Sequence, residues 1–247
     1  MTPRLLERHL RLPGTRNLRD VGGYPAGASR RTRWRTVLRT DALDRLPAAS
    51  RSALLDLGLR CVVDLRWPEE LVESPSVFAT SDRVTYRSIP LLEDDPTPAH
   101  GMAATYRHIF DERAAQLAEV VRTLLAPEGL PVAIGCAAGK DRTGVVIALL
   151  LAAVGVPSDV IVADYELSGE ALGGELADDP HLDDWRAQPS RVDCPGEYML
   201  EALDHLDRHH GGASSLLLRN GLTEPELDRL VELLTEPTGG AGLGEAW

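Results

Sequence analysis

The tightest constraint on this chain is the stretch Gly135-Cys136-Ala137-Ala138-Gly139-Lys140-Asp141-Arg142-Thr143-Gly144, set between two apolar runs. The first run, Leu130 to Ile134, is short, begins at Leu130-Pro131 and carries Val and Ile, so it reads as a buried strand. The second, Val145 to Val154, is apolar nearly all round and stops at Gly155 with Pro157 just beyond, so it reads as a buried helix. A strand must therefore become a helix within a few residues. Cys136 stands at that turn, with five residues between it and Arg142.

Such a turn is an anion site. A helix N-terminus leaves backbone N–H groups without partners and carries about half a positive charge, and a tight loop feeding it aims successive N–H groups at a phosphate. Gly139 lets the loop turn where a side chain would clash. Arg142 can grip two phosphate oxygens with its planar fork. Cys136 lies in a field that favours the thiolate, the nucleophilic form, and Thr143 can hydrogen-bond that sulfur. The expected chemistry is attack of Cys136 on a phosphate monoester, followed by hydrolysis of a phosphocysteine, with backbone N–H groups from Ala137, Ala138, Gly139 and Lys140 on to Arg142 as the oxyanion cradle.

Competing readings of the stretch are weaker. A nucleotide P-loop needs four residues between its glycines, whereas Gly135 and Gly139 enclose three, and Asp141 stands where Ser or Thr would hold magnesium. A sulfurtransferase loop does not require Arg142-Thr143 opening the helix. An inert buried cysteine at a strand end leaves the Gly-Lys-Asp-Arg run unexplained.

The stretch Cys136 to Gly144 resembles the signature loop of the cysteine-based protein tyrosine phosphatases. More narrowly, it is similar to the bacterial branch whose loop reads Cys-x-x-Gly-Lys-Asp-Arg-Thr-Gly. Asn17-Leu18-Arg19-Asp20-Val21-Gly22-Gly23-Tyr24 is similar to that branch's N-terminal motif. Val37 to Leu43 resembles its Arg-Ser-Asp segment, with Thr40 for Ser; Val63-Asp64-Leu65-Arg66 and Ala163 to Ser168 match further segments. One position departs: the family usually carries His before the nucleophile, and this chain has Gly135. The resemblance implies an α/β fold with a central, mainly parallel sheet flanked by helices. It implies Asp141 as the general acid, with Asp64 second. It also implies a lid segment within 169–194, and a link between Lys140 and highly charged substrates such as phosphoinositides.

The other expectations concern the whole chain. At 247 residues it reads as a single domain with a disordered tail after 236. Net charge is −12, which argues against a nucleic acid or anionic membrane as partner. Positive charge must then be concentrated at the site, and Arg142, Lys140, Arg66 and Arg39 are the substrate-binding candidates. Three sparse cysteines, Cys61, Cys136 and Cys194, suggest reduced thiols and a cytoplasmic location. No signal peptide is visible, though export without one stays open, and no run approaches the ~18 apolar residues of a membrane span. No cofactor or metal is expected: no His/Cys cluster has zinc spacing, and His209-His210 reads as a helix end. The substrate is left open between a phosphorylated protein and a small phosphorylated molecule. A phosphate-binding module without turnover is the alternative from another class; Gly135 favours it, and the presence of both Cys136 and Arg142 favours hydrolysis.

Along the chain, the residues up to Pro13 read as a basic arm, and Gly22-Gly23 as a turn. Trp34 to Arg39 reads as an edge strand, Leu43 to Leu59 as a helical connection, and Arg60 to Leu65 and Val84 to Leu91 as strands. Glu93-Asp94-Asp95 opens a solvated loop. Met102 to Ala126 reads as one long helix, Ser158 as the cap of a helix to Leu167, and Pro195 to His210 as a helix. Thr223 and Glu226 form a capping box opening the last helix, to Leu234.

Overall fold

The computed structural model describes residues 8–93, 101–173 and 193–238. Its main sheet is built on β7 (Val132–Gly135), the strand that feeds the Cys136 loop. β7 lies between β4 (Val37–Thr40) and β5 (Cys61–Asp64), both parallel to it; β6 (Thr85–Ser88) adds parallel to β5, and β1 (Arg19–Asp20) adds antiparallel to β4. The registers pair Thr40 with Gly135 and Gly135 with Asp64. The carboxyl ends of three parallel strands thus lie side by side, the place where open α/β sheets present ligand sites.

The inner strands β4, β7 and β5 are buried on both faces, and the two-residue alternation of a strand divides their side chains between two cores. Val37, Cys61, Val63, Val132 and Ile134 enter the larger core, while Leu38, Val62 and Ala133 enter a smaller one with Leu54 of α1 (Ala48–Asp56) and Phe78. α5 (Asp141–Ala153) crosses the larger core with every residue from Arg142 to Leu151 buried. Each of its Val, Ile and Leu side chains contributes roughly 1.5–3 kcal/mol by leaving water, so the helix that starts at the loop is anchored by its whole length. The arrangement is the expected α/β one.

Several elements differ from the expectation. β4 is an inner strand; the edge belongs to the two residues of β1, whose Gly22-Gly23 turn hides so short a strand. The helix expected over Met102 to Ala126 is two, α3 (Met102–Glu112) and α4 (Ala114–Leu125), separated at Arg113 with φ −119° and ψ 20°. The apolar stripe is interrupted there by Asp111-Glu112-Arg113, and the halves take different partners. α3 packs on α7 (Gly196–His210), and α4 on α9 (Glu224–Leu234). α6 (Ser158–Gly173) runs past Leu167, and α8 (Gly212–Arg219) follows α7 directly. α9 has the expected capping box at Thr223. Beyond it β8 (Thr235–Pro237) pairs with β3 (Arg30–Thr32), which also pairs with β2 (Pro25–Ala26), so ordered chain extends one residue past the expected start of the tail. The expected lid, apart from its two ends, and the loop acids Asp94 and Asp95 lie outside the described residues.

Candidate active site

The loop between β7 and α5 is held by its carbonyls. Leu65 N–H donates to the carbonyl of Gly135 at 2.8 Å, and Ala42 N–H to that of Ala137 at 3.2 Å. Asn17 Nδ2 donates to Ala138 O at 2.9 Å, and one nitrogen of Arg39 to Gly139 O at 2.7 Å and Lys140 O at 3.4 Å. In a planar trans peptide the N–H points opposite the C=O. Tying these carbonyls to the surroundings therefore turns the following N–H groups to the other side, which is what an anion cradle needs. Gly139 is required twice over. Its φ is +67°, and a Cβ would lie 2.4 Å from Thr40 O.

Gly135, the departure from the family pattern, has a steric explanation. A Cβ there would lie 2.9 Å from Thr40 Cγ2, 3.0 Å from Thr40 O and 3.1 Å from Asp41 O. The methyl that makes residue 40 Thr where the resembling segment has Ser is the nearest obstacle. The two departures meet at one point.

Cys136 is 2 % exposed at the end of β7, and Arg142 lies in the first turn of α5. Arg142 is gripped by a residue that sequence reasoning missed: Glu70 of α2 (Pro68–Glu73) takes its two terminal nitrogens at 2.6 and 3.0 Å. Trp67 stacks on the guanidinium at 4.2 Å, and Glu70 Oε2 also accepts from Trp67 N–H at 3.0 Å, which fastens the start of α2. Burial opposes the charge on Arg142, but the Glu70 bonds and then the fields of Cys136, Glu70 and Asp141 outweigh it, and its pKa lies above the ordinary value. The end-on grip uses two of five guanidinium N–H groups and leaves the rest for a phosphate. A Glu four residues beyond Arg66 was the available signal; its partner, 72 residues on, was not.

Asp141 opens α5, where a carboxylate suits the helix dipole. The Tyr106 hydroxyl donates to it at 2.5 Å and lies 2.7 Å from the hydroxyl of Tyr165. Burial, then the charge of Asp141, holds the Tyr106 phenol well above its ordinary pKa, so it stays protonated and donates a hydrogen bond at any working pH. Lys140 is buried; its Nζ donates to Asp193 O at 3.0 Å and lies 3.7 Å from Asp141. The Thr143 hydroxyl is buried with no hydrogen-bond partner among the described residues, so no bond to the sulfur is made.

The remaining candidates are occupied. Asp64 ends β5 beside Gly135, but its carboxylate accepts from Arg66 at 2.8 and 2.9 Å and from the Tyr86 hydroxyl at 2.9 Å. Arg66 also donates to Ser74 O at 2.8 Å. Arg39 is fully buried: besides the loop carbonyls it binds Asp164 at 2.6 Å and Ser168 Oγ at 3.2 Å. Arg19, fully buried, meets Asp164 at 3.3 Å and Ser168 Oγ at 3.0 Å, and also donates to Asn17 Oδ1. Burial and the charge of Arg39 bring Arg19 down to about 10. Burial pushes Asp164 up, but Arg19 and Arg39 win and hold its carboxyl well below the usual range. Asp41 accepts from the N–H groups of Arg16 and Asn17 at 3.1 Å, positioning the amide that reaches Ala138. The Asn17-to-Asp20 motif thus braces the loop. Cys194 sits against Tyr165, and burial pushes its thiol up to about 11. All three cysteines are free.

A cavity of about 650 Å³ adjoins the loop, lined among others by Arg11, Arg16, Asp41, Arg66, Glu70 and Ala137. Among the described residues no helix is long and apolar enough to cross a membrane.

The sequence profile of the tyrosine phosphatase family matches residues 10–236. A tyrosine-protein phosphatase of Nostoc commune is 32% identical, over 78% of this chain and 72% of its own. The triple specificity protein phosphatase PtpB of Mycobacterium tuberculosis is 30% identical, over 89% of this chain and 96% of its own. The crystal structure of P. aeruginosa TpbA aligns with 68% of this chain and 86% of its own, at 22% identity and a TM-score of 0.35.

Proposed function

This chain belongs to the tyrosine phosphatase family, and we propose from that premise that it hydrolyses phosphotyrosine in proteins or peptides through a phosphocysteine, with Cys136, Arg142 and Asp141 as the reacting and stabilising groups. The observation that carries this assignment is Arg142, placed beside Cys136 on the first turn of α5 and held in a fixed orientation by Glu70 and Trp67.

The substrate's phosphoryl group sits in the loop with its oxygens on the turned-in N–H groups and on the free edges of Arg142. Cys136 Sγ attacks phosphorus as the P–O bond to the tyrosine breaks, and Asp141 gives its proton to the departing phenolate oxygen. A water then attacks phosphorus, Asp141 takes its proton, the S–P bond breaks and inorganic phosphate leaves. The acid step typically contributes about 10²–10⁴-fold, and the oriented donors stabilise the charge that develops in both transition states. Arg39 and Arg66, which bind Asp164, Asp64 and backbone carbonyls, serve this reading as braces. Lys140 does too, its ammonium being drawn to Asp193 O and Asp141. The adjoining cavity is of a size that takes an aromatic side chain with its neighbours.

The test is turnover of a phosphotyrosine peptide by the native chain, by Cys136→Ser and by Arg142→Lys. The Ser variant should lose turnover and still bind the peptide. The Lys variant should be nearly as impaired as one lacking the charge, because an ammonium is a point donor without the fork. Undiminished hydrolysis in Cys136→Ser would refute the mechanism.

A further inference from the structure

We propose that Asp111, His205 and His210 form a binding site for a divalent transition metal of the zinc class, outside the phosphatase site. Asp111 is the penultimate residue of α3, and His205 and His210 lie in the last two turns of α7. Nε2 of both imidazoles lies 2.7 Å from one oxygen of Asp111, and the three ligand atoms fall within 4.8 Å of one another. Two imidazole nitrogens and a carboxylate oxygen make a donor set suited to zinc, nickel, copper or iron, and a poor one for calcium or magnesium, which prefer oxygen.

Three further observations point to a cation. The cluster lies on the C-terminal ends of α3 and α7, whose dipoles favour a cation, offset in part by the N-termini of α4 and α8 that follow each after one residue. The side-chain cations nearest in sequence are occupied by other carboxylates: Arg107 by Glu201, Arg113 by Glu93 and Arg208 by Asp204. The imidazoles are also packed: His205 stacks on His209 at 4.4 Å and meets His210 edge-on at 5.6 Å, and both ligand rings are largely buried while Asp111 is 40 % exposed. The rings are thus fixed, and the carboxylate has room to move outward by the roughly 0.6 Å that tetrahedral ligation at about 2.0 Å requires. Without metal each Nε2 carries its proton and donates to Asp111. With metal that proton moves to Nδ1 and the Nε2 lone pair faces the ion, so no net proton need be lost.

The site would clamp α3 to α7. Five residues before Asp111 on α3 is Tyr106, the partner of Asp141, so the clamp fixes the helix that orients the proposed acid without touching substrate.

The experiment uses the untagged full chain in its Cys136→Ser form, which removes the reactive thiolate as a competing ligand, titrated with Zn²⁺ by calorimetry and with Co²⁺ by visible absorption. The expected result is one ion per chain and an N/O-type Co²⁺ spectrum. Saturation at a hundredfold excess over Kd should raise Tm by roughly 5–10 °C. His205→Gln, His210→Gln and Asp111→Asn should each weaken binding by at least the ~10–100-fold typical of supporting residues at metal sites, while His209→Gln, which removes only a stacking neighbour, should weaken it less than any of them. No saturable binding, equal affinity in the His205→Gln/His210→Gln pair, or loss of binding in His209→Gln alone would overturn the assignment. Zinc X-ray absorption of the same Cys136→Ser chain at one equivalent needs no variant at either histidine. Imidazole scattering with nitrogen at about 2.0 Å supports the site, and a sulfur shell overturns it.

Discussion

Replacing Asp164 by Asn tests whether the catalytic loop is held through buried charge. Asp164 is 1 % exposed, and its carboxylate accepts from Arg39 at 2.6 Å, from Tyr24 at 2.8 Å and from Arg19 at 3.3 Å. Asn has nearly the same shape, so no cavity opens, but two fully buried guanidinium groups then face a neutral amide. Removing one partner of a buried pair costs about 3–5 kcal/mol. Here one carboxylate serves two arginines, but Ser168 Oγ, Asn17 Oδ1 and the carbonyls of Gly139 and Asp164 remain as acceptors. We therefore take that range for the whole substitution. At ~2–4 °C per kcal/mol for a chain of this size, Tm should fall by about 6–20 °C. Arg39 also holds Gly139 O, so its displacement shifts the loop; misplacement of about 1 Å costs up to ~10²-fold in rate. Because the carboxyl of Asp164 is depressed in the folded state, the unfolded chain binds that proton more readily. The stabilisation is complete above the ordinary carboxyl pKa of ~3.9 and drains away as pH falls below it. The stability gap between native and variant should thus be full near neutrality and narrow below about pH 4. The assay is thermal unfolding across pH, with phosphomonoester turnover measured well below either Tm. A variant within about 2 °C of native at neutral pH and with unchanged kcat would refute the reasoning.

Glu70→Gln keeps an acceptor for Arg142 and for Trp67 N–H but removes the charge; with charged hydrogen bonds at ~1.5–3 kcal/mol, kcat should fall about tenfold, and a native kcat would show that Arg142 orients itself. Gly135→Ala should destabilise by roughly 1–3 kcal/mol of overpacking, and by less in a Thr40→Ser background, where the nearest obstructing methyl is gone; equal costs in the two backgrounds by denaturant unfolding would remove the steric account of Gly135. Tyr106→Phe loses a bond of ~0.5–1.5 kcal/mol to Asp141, so kcat should drop about 2–10-fold with phenyl phosphate and less with 4-nitrophenyl phosphate, whose leaving group needs less protonation; the reverse order would exclude Asp141 as the acid.

What was legible in the sequence is what local chemistry dictates. An apolar strand pattern, a loop that can only turn at Gly139 and an apolar helix with Arg142 in its first turn leave little freedom, and the structure places all three as read. The capping box at Thr223 was equally readable, because its partners are three residues apart. Tertiary structure decided what depends on partners distant in the chain. Arg39 carries the same charge as Arg142, and nothing local tells that Asp164, 125 residues on, draws it into the core. Glu70 and Arg142, or Asp111 and the two histidines, are likewise unremarkable as local sequence and meet only because helices pack. The long helix divided at Arg113 for the same reason: its halves bury their apolar faces on α7 and on α9. Residue spacing specifies elements and the groups that act within one turn. Which of many charged side chains share a buried site is set by packing, since only burial makes such a pairing strong enough to fix a catalytic geometry.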